Sequence, residues 1–167
     1  MNLTVFGDIG CYTLGATPPL GAMDTTICMG ASISMAHGAE KSRGREFAKR
    51  SLAVIGDSTF FHSGMTGLAT ASYNKSNITV LIVDNSTTGM TGHQDNPGIE
   101  ATLSLGTVAP VDIAGLCRAC GVEKVLTADA FDLAAVRKAL EECTAYDGVS
   151  VLITRGDCVF VSRSPKP

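Results

Sequence analysis

Short apolar runs separated by helix-like segments are the feature that most constrains the fold of this chain. Four runs rich in β-branched residues have the length and character of buried parallel strands. They are Leu3–Phe6, Leu52–Ile55, Ile78–Val83 and Val149–Thr154, with a weaker fifth run at Val122–Leu126. The alternation of strands and helices at this spacing predicts an α/β fold, a three-layer sandwich with a mostly parallel central sheet.

Helical patterns fill the segments between these runs. Helices are predicted over Thr25–Lys41, Gly64–Tyr73, Asp112–Cys120 and Phe131–Cys143. Asp112 is a candidate N-cap of the third helix, and Asp129 or Asp132 lies near the start of the fourth.

Two segments of the chain show no helix or strand pattern. Residues Ser86 to Pro110 are rich in Gly, Thr and Pro, and they follow the carboxyl end of a predicted strand. A loop of this length in a compact domain is usually functional or disordered, and open α/β sheets bind ligands at that end. The tail Ser162–Pro167 is expected to fray. We therefore expect residues 1–167 to form a single domain.

Composition and charge exclude several classes of partner. The formal net charge of −3 provides no basic surface, so we expect no nucleic-acid or anionic-membrane partner. No apolar run reaches the roughly 18 residues that a membrane span needs. Because 45% of the residues are apolar and only 17% are charged, we expect part of the surface to be covered by another protein.

The six cysteines show no spacing typical of a secreted disulfide scaffold. Free thiols in a reducing cytoplasm are the better interpretation, so we expect a cytoplasmic protein. Cys117 and Cys120 form a lone CxxC pair. On a helix these two small side chains would share one face, and we interpret them as core residues.

The sequence Gly56-Asp57-Ser58 directly follows a predicted strand and allows three interpretations. Ser58 could be a nucleophile, but a serine needs a positioned base. The histidines are His37, His62 and His93, and none lies in the late Asp-x-x-His sequence that esterases with Gly-Asp-Ser use. A second interpretation is that Asp57 or Ser58 caps the following helix.

The third interpretation is a metal site, and it depends on the next strand. That strand ends in Asp84-Asn85, and the carboxyl ends of neighbouring parallel strands lie at one sheet edge, roughly 5 Å apart. The Asp57 carboxylate, the Asn85 amide oxygen and a backbone carbonyl would suit Mg²⁺ or Ca²⁺. The helix that starts after Gly56 would add N–H groups for phosphate oxygens. These residues together predict a metal–diphosphate site.

Asn85 follows Asp57 by 28 positions, and this pattern resembles the thiamine diphosphate motif Gly-Asp-Gly followed by Asn-Asn. Ser58 replaces the last Gly and Asp84 the first Asn, and both departures occur in 2-oxoacid:ferredoxin oxidoreductases. The stretches GDIGCYTLGATPPLGAMDTTICMGASISMAHG and VIGDSTFFHSGMTGLATASYNKSNITVLIVDNSTTGMTGHQ resemble the large subunit of the indolepyruvate enzymes of that superfamily. The resemblance covers nearly the whole chain and implies the thiamine diphosphate-binding fold.

The resemblance also implies roles for individual residues. Mg²⁺ would be bound by Asp57, Asn85 and the backbone carbonyl of Thr87. The implied cofactor-contacting residues are Gly10, Cys11, Met29, Gly30, Gly56, Asp57, Ser58, Thr59, Asn85, Thr87, Gly89, Met90 and Thr91. Among them, Met29 would hold the cofactor in its bent shape, and Gly10 and Cys11 would approach the thiazolium ring or the substrate. His93 is expected either to face the same pocket or to be a solvated loop histidine, whereas His37 and His62 are expected to be structural.

The activity implied is the oxidative decarboxylation of aryl-pyruvates to acyl-coenzyme A, with electrons passing through iron–sulfur clusters to ferredoxin. The activating glutamate belongs to a pyrimidine-binding domain and the clusters to a cysteine-rich domain, and neither has a counterpart in these 167 residues. We therefore expect a pyrimidine-binding partner or domain, a homo- or hetero-oligomer, and no catalytic residue supplied by this chain alone. The alternatives are a subunit of a non-oxidative decarboxylase of the sulfo- or phosphonopyruvate type, and a non-catalytic cofactor-binding module.

Overall fold

The computed structural model describes residues 3–102 and 106–163, and its centre is a six-stranded sheet. The strands are β1 (Thr4–Gly7), β2 (Thr25–Thr26), β3 (Ser51–Gly56), β4 (Thr79–Asp84), β7 (Lys124–Asp129) and β8 (Ser150–Arg155). They lie in the order β2-β1-β3-β4-β8-β7, and every neighbouring pair is parallel. The predicted strands are therefore confirmed, each to within a few residues at its ends.

Helices cover both faces of the sheet. They are α1 (Ala31–Arg43), α2 (Arg45–Ala48), α3 (Asp57–Thr59), α4 (Met65–Tyr73), α5 (Ile113–Ala119), α6 (Leu133–Ala145) and α7 (Val159–Arg163). The helix α4 contacts both α1 and α5, so these three helices lie together on one face, as the usual right-handed crossover predicts. The connection from β7 to β8 runs in the opposite direction along the sheet, so α6 lies on the other face. This arrangement confirms the predicted α/β sandwich.

The centre of the core is a row of isoleucines that crosses three strands. Ile55 pairs with Ile82, which pairs in turn with Ile153, and all three side chains are fully buried. β-Branched side chains pack well on a pleated surface that is covered on both sides. The helix residues Phe60 and Leu68 are equally buried in the same cluster. This rigid centre fixes the carboxyl ends of β3 and β4.

The first predicted helix begins later than the sequence pattern indicates. Thr25 and Thr26 form the edge strand β2, because Thr26 pairs with Gly7 of β1. The helix α1 begins only after Gly30, whose φ of 83° lies in the left-handed region that favours glycine. The prediction of helix over Thr25–Lys41 was therefore wrong for its first six residues.

The second predicted helix begins earlier than the sequence pattern indicates. Helical backbone starts at Asp57 in α3, continues through a π-helical turn at Phe60–Gly64, and ends with α4. Gly64 allows this turn to lie close to β3, since a Cβ atom there would be 2.7 Å from Ile55 Cδ1. The helical segment therefore begins directly at the carboxyl end of β3, which is the end that the metal-site interpretation requires.

The segment from Ser86 to Pro110 is an irregular connection with two small antiparallel contacts. One is an isolated bridge between Thr88 and Gln94, and the other is the hairpin β5 (Ala101–Thr102) and β6 (Gly106–Thr107). Asp112 then caps α5 by accepting hydrogen bonds from the Ala114 and Gly115 N–H groups, as predicted.

Asp132, the second of the two candidates for the fourth helix, caps α6. The elements α2, α7 and a 3₁₀ segment at Cys11–Ala16 were not predicted from the sequence. Of the tail predicted to fray, residues 164–167 lie outside the described residues. No helix in the described part of the chain is both long and apolar enough to cross a membrane.

All six cysteines lie within the described residues, and all are free thiols. Cys117 is fully buried in the core cluster, and Cys120 packs against that cluster. Burial raises the pKa of Cys117 to about 12, so this thiol stays protonated. The interpretation of the CxxC pair as core packing is confirmed.

Candidate functional site

A cleft of about 190 Å³ opens at the carboxyl ends of β3 and β4. It is lined by Ile9, Gly10, Cys11, Tyr12, Met29, Gly56, Asp57, Ser58, Thr59, Val83, Asn85, Thr87, Thr88, Gly89, Met90 and Thr91. Every cofactor-contacting residue predicted from the sequence lines this cleft except Gly30, which is buried directly beside Met29. The sheet thus brings together residues that lie up to 81 positions apart in the chain.

Among the described residues that line the cleft, Asp57 is the only acidic one, and it is 3% exposed. Its Oδ2 atom accepts a hydrogen bond of 2.9 Å from Asn96 Nδ2. Among the described residues no lysine, arginine or histidine forms an ion pair with it. Burial raises the pKa of Asp57 to about 6. A buried carboxylate without a cationic partner is a suitable ligand for a bound metal ion.

Asn85 and Thr87 follow β4 in a tight turn beside Asp57. Because Gly56 pairs with Val83, the residues that follow these two strands leave the sheet side by side. The Asn85 Oδ1 atom accepts a hydrogen bond of 3.3 Å from the Thr87 N–H, which fixes the turn. The Asn85 carbonyl accepts another of 3.0 Å from the Cys158 N–H. The turn is therefore held to the neighbouring strand end as well as to itself.

The donor set at this edge of the sheet is sparse and rich in oxygen. Nowhere in the described residues do three or more His, Cys, Asp or Glu side chains form a metal-binding group. A cation in the cleft would have one carboxylate, one amide oxygen and backbone carbonyls as protein ligands. Such a set suits Mg²⁺ that keeps coordination positions for phosphate oxygens. The residues present therefore fit a Mg²⁺–diphosphate group.

Tyr12 forms one wall of the cleft, and it was missed by the sequence reasoning. Its hydroxyl accepts a hydrogen bond of 2.9 Å from the Gly56 N–H and donates one of 3.2 Å to the Ile9 carbonyl. Space beside Gly56 is limited, because a Cβ atom there would be 3.0 Å from Tyr12 Cε1. Burial raises the pKa of Tyr12 above its ordinary value, so the hydroxyl keeps its proton. Tyr12 therefore connects the segment that follows β1 to the end of β3.

Hydroxyl groups connect the start of the helical segment to the loop that follows β4. Thr88 Oγ1 donates a hydrogen bond of 2.8 Å to Ser58 Oγ. On the other side, Thr59 Oγ1 lies 3.4 Å from the Ile9 carbonyl. The helical segment thus presents its N-terminal end to the cleft, and that end favours negatively charged groups such as phosphate.

In the described part of the chain no histidine lies in the cleft beside Ser58, so the structure gives the nucleophile interpretation no support. None of the three histidines lines the cleft. His93 packs edge-on against Phe160 with 4.9 Å between ring centroids. His62 contacts Ser63 Oγ at 2.9 Å, and His37 contacts Ser76 Oγ. His93 is exposed and does not line the cleft, which agrees with the alternative of a solvated loop histidine.

The sequence reasoning also missed two residues behind the cleft wall. Asp8 is fully buried and accepts hydrogen bonds from the N–H groups of Ile9, Gly30 and Ser32. Asn96 reaches Asp57 from the long loop. A signal for Asp8 was present, since it directly follows β1 as Asp57 follows β3. Asn96 offered no signal except its place in this long loop.

One family of known proteins accounts for most of the chain. Residues 8–154 match the family described as "Thiamine pyrophosphate enzyme, C-terminal TPP binding domain", where TPP is thiamine diphosphate. The matched range contains every residue that lines the cleft.

Similar sequences are named indolepyruvate oxidoreductase subunit IorA. The protein of Pyrococcus horikoshii is 41% identical over 164 residues, which cover 92% of this chain and 25% of the relative. The protein of Archaeoglobus fulgidus is 40% identical over 154 residues, covering 92% of this chain and 24% of the relative. This chain thus spans about a quarter of the length of the relatives it matches.

Solved structures support the fold. A 2-oxoglutarate:ferredoxin oxidoreductase from Magnetococcus marinus superimposes with a TM-score of 0.78 over 94% of this chain and 55% of that chain, at 17% identity. The benzoylformate decarboxylase from Polynucleobacter necessarius gives a TM-score of 0.67 over 99% of this chain and 31% of that chain, at 16% identity. At these identities the likeness concerns the fold alone.

Proposed function

Because this chain belongs to the thiamine pyrophosphate enzymes, as their C-terminal TPP-binding domain, we propose that it forms the Mg²⁺- and diphosphate-binding half of an indolepyruvate-type 2-oxoacid oxidoreductase. The observation that carries this proposal is the position of Asp57 beside Asn85 in the cleft. A buried carboxylate that forms no ion pair with a described residue, and a neighbouring amide oxygen, match the ligands that Mg²⁺ prefers.

Each residue of the cleft has a role in this proposal. Asp57, Asn85 and the Thr87 carbonyl bind Mg²⁺. The remaining residues of the set bind the diphosphate or hold the cofactor rings; they are Gly10, Cys11, Met29, Gly30, Gly56, Ser58, Thr59, Gly89, Met90 and Thr91. When bound, thiamine diphosphate would supply a nucleophilic carbon for a 2-oxoacid carbonyl, and these residues would orient the cofactor.

The oxidoreductase assignment is supported by the relatives that are 36–42% identical to this chain, all of them named as indolepyruvate oxidoreductase subunits. We propose that the assembled enzyme oxidatively decarboxylates an aryl-pyruvate. Coenzyme A accepts the acyl group, and ferredoxin receives the electrons through iron–sulfur clusters outside these residues. No specific observation favours a non-oxidative decarboxylase.

We further propose that the cleft is completed by a pyrimidine-binding domain or subunit. Large apolar side chains are exposed on the segments that border the cleft. Leu14, Leu20 and Ile27 are each about 70% exposed, and Met90 is 52% exposed. Side chains of this kind are usually covered when they cluster, so they are suited to contact the partner. The activating glutamate would come from that partner.

An activity assay of the assembled enzyme tests this function. The chain is combined with its pyrimidine-binding and iron–sulfur components, and dye reduction is measured with indolepyruvate and coenzyme A. We expect dye reduction that depends on coenzyme A, and none from this chain alone. Release of the aldehyde without dye reduction would contradict the oxidative assignment. Turnover by this chain alone would contradict the need for a partner.

A further inference from the structure

The peptide bond between Met29 and Gly30 is held from both of its sides. Its N–H, on Gly30, donates a hydrogen bond of 2.7 Å to Asp8 Oδ1. Its carbonyl, on Met29, accepts a hydrogen bond of 3.4 Å from Ser63 Oγ. Asp8 comes from the end of β1, and Ser63 from the π-helical turn that follows α3. Two separate elements therefore fix the orientation of one peptide plane.

Asp8 has an unusual environment for a carboxylate. It is fully buried, and its three hydrogen bonds all come from backbone N–H groups, those of Ile9, Gly30 and Ser32. Its contact with Ser32 caps α1 from outside the helix, because Gly30 at the N-cap position has no side chain to do so. The N-terminal end of α1 also compensates the negative charge. Asp8 thus joins β1, the first loop and α1 at one point.

Space around Gly30 is restricted as well. A Cβ atom at Gly30 would lie 2.0 Å from Ser63 Oγ and 2.7 Å from Ser63 Cβ. The backbone at Gly30 has a φ of 83°, so the residue has both a special conformation and close neighbours. Met29 directly precedes this point and lines the cleft with a 42% exposed side chain. Its backbone cannot shift without breaking the contacts of Asp8 or Ser63.

From these contacts we propose that Asp8 and Ser63 are positioning residues that set Met29 against the organic part of the bound cofactor. This inference rests on the proposed cofactor binding in the cleft. Neither residue lines the cleft, so both act through the Met29–Gly30 peptide. The diphosphate end of the site depends on Asp57 and Asn85 instead, which belong to other strand ends. Loss of Asp8 should therefore affect the thiamine moiety and leave diphosphate binding intact.

Two ligands separate these contributions. Thiamine diphosphate and inorganic pyrophosphate are each titrated into the full chain by calorimetry with Mg²⁺ in excess. In Asp8→Asn one acceptor oxygen becomes an NH₂ group that faces backbone donors. We expect thiamine diphosphate to bind about tenfold more weakly, by analogy with other residues that orient ligand-contacting groups. Pyrophosphate should keep its wild-type affinity. Asp24→Asn is the matched control, since Asp24 accepts a single backbone N–H at the sheet edge.

Ser63→Ala provides a second variant, and this substitution does not alter a buried charge. It removes the hydrogen bond to the Met29 carbonyl. We expect the affinity for thiamine diphosphate to fall about threefold, as the loss of one hydrogen bond predicts. The affinity for pyrophosphate should not change. Equal losses for both ligands would show a general structural effect and overturn the proposal, as would unchanged affinities in both variants. If Asp8→Asn does not fold, Ser63→Ala alone decides. A wild-type ratio of its affinities for thiamine diphosphate and pyrophosphate would overturn the proposal. Failure of the wild-type chain to bind thiamine diphosphate would instead contradict the proposed function.

Discussion

Asp57 accepts a hydrogen bond of 2.9 Å from the side chain of Asn96, which lies 39 residues later in the chain. Asn96 is itself 9% exposed, and its Oδ1 atom accepts a hydrogen bond from the Gly98 N–H. The amide donates to the carboxylate without neutralising it. This contact holds the loop after β4 against the end of β3 while Asp57 keeps its charge for a cation.

Replacement of Asn96 by alanine should therefore destabilise the domain. Asn96→Ala leaves the buried Asp57 oxygen without its donor, which costs about 1–3 kcal/mol of unfolding free energy. Urea denaturation of the purified chain measures this loss. Asn74→Ala is the control, because Asn74 is exposed at the end of α4, and it should change the stability by about 0.5 kcal/mol at most. Equal effects of the two substitutions would contradict the role of Asn96.

Leu68 on α4 tests whether the core lies between this helix and the sheet. It is fully buried, whereas Leu133 at the start of α6 is 79% exposed. Leu68→Ala should lower the unfolding free energy by about 2–5 kcal/mol because it leaves a cavity. Leu133→Ala should lower it by about 0.5 kcal/mol or less. Similar urea midpoints for the two variants would contradict the packing of α4 described above.

Two glycines should respond in opposite ways to alanine. At Gly64 a Cβ atom would lie 2.7 Å from Ile55 Cδ1 and 3.0 Å from Phe60 Cδ2, so Gly64→Ala should cost about 1–3 kcal/mol. At Gly38, inside α1, no atom lies within 4 Å of such a Cβ. Gly38→Ala should stabilise the helix by about 0.5–1 kcal/mol. Thermal unfolding compares them, and stabilisation by Gly64→Ala would contradict the close approach of the π-helical turn to β3.

Glu40 should make the stability depend on pH. Burial raises the pKa of this carboxyl, but the Ser76 hydroxyl, the Asn77 N–H and Lys41 outweigh burial and hold it below its ordinary value of 4.5. When the folded pKa is the lower one, acid protonates the unfolded state first. The stability that Glu40 contributes is therefore complete above about pH 4.5 and is lost as the pH falls through the folded pKa.

Urea denaturation of the wild-type chain and of Glu40→Gln over a pH series tests this sign. We expect the stability difference between them to be largest near neutral pH and to shrink in acid. Glu46→Gln serves as the control, since Glu46 is exposed and its ion pair among the described residues is with exposed Lys49, and it should have little effect at any pH. A difference that grows as the pH falls would contradict the assignment.

The sequence was sufficient to predict the sheet and the cleft because both depend on local patterns. A run of buried apolar residues such as Leu52–Ile55 predicts a strand from its own residues alone. Polar residues at strand ends, such as Asp57 and Asn85, must then meet at one edge of a parallel sheet. The resemblance to the indolepyruvate enzymes predicted the remaining residues of the set, all of which line the cleft except Gly30.

What the sequence did not reveal depends on long-range contacts. Tyr12 meets Gly56 across 44 positions, and Asp8 meets Gly30 across 22. Neither pair belongs to a periodic pattern. The start of α1 was misplaced for the same reason, since Thr26 becomes a strand residue only by pairing with β1. Tertiary pairing overrode the local helix preference of this segment.

We propose that Asp57 binds the Mg²⁺ ion that holds the diphosphate. The most direct test is calorimetric titration of thiamine diphosphate into the wild-type chain and into Asp57→Ala, each with and without Mg²⁺. Asp147→Ala is the matched control, because that carboxylate is 78% exposed and pairs with Arg45 away from the cleft. We predict that the wild-type chain and the control bind only with Mg²⁺, and that Asp57→Ala loses this Mg²⁺-dependent binding. Equal, Mg²⁺-dependent affinity in Asp57→Ala would contradict the account.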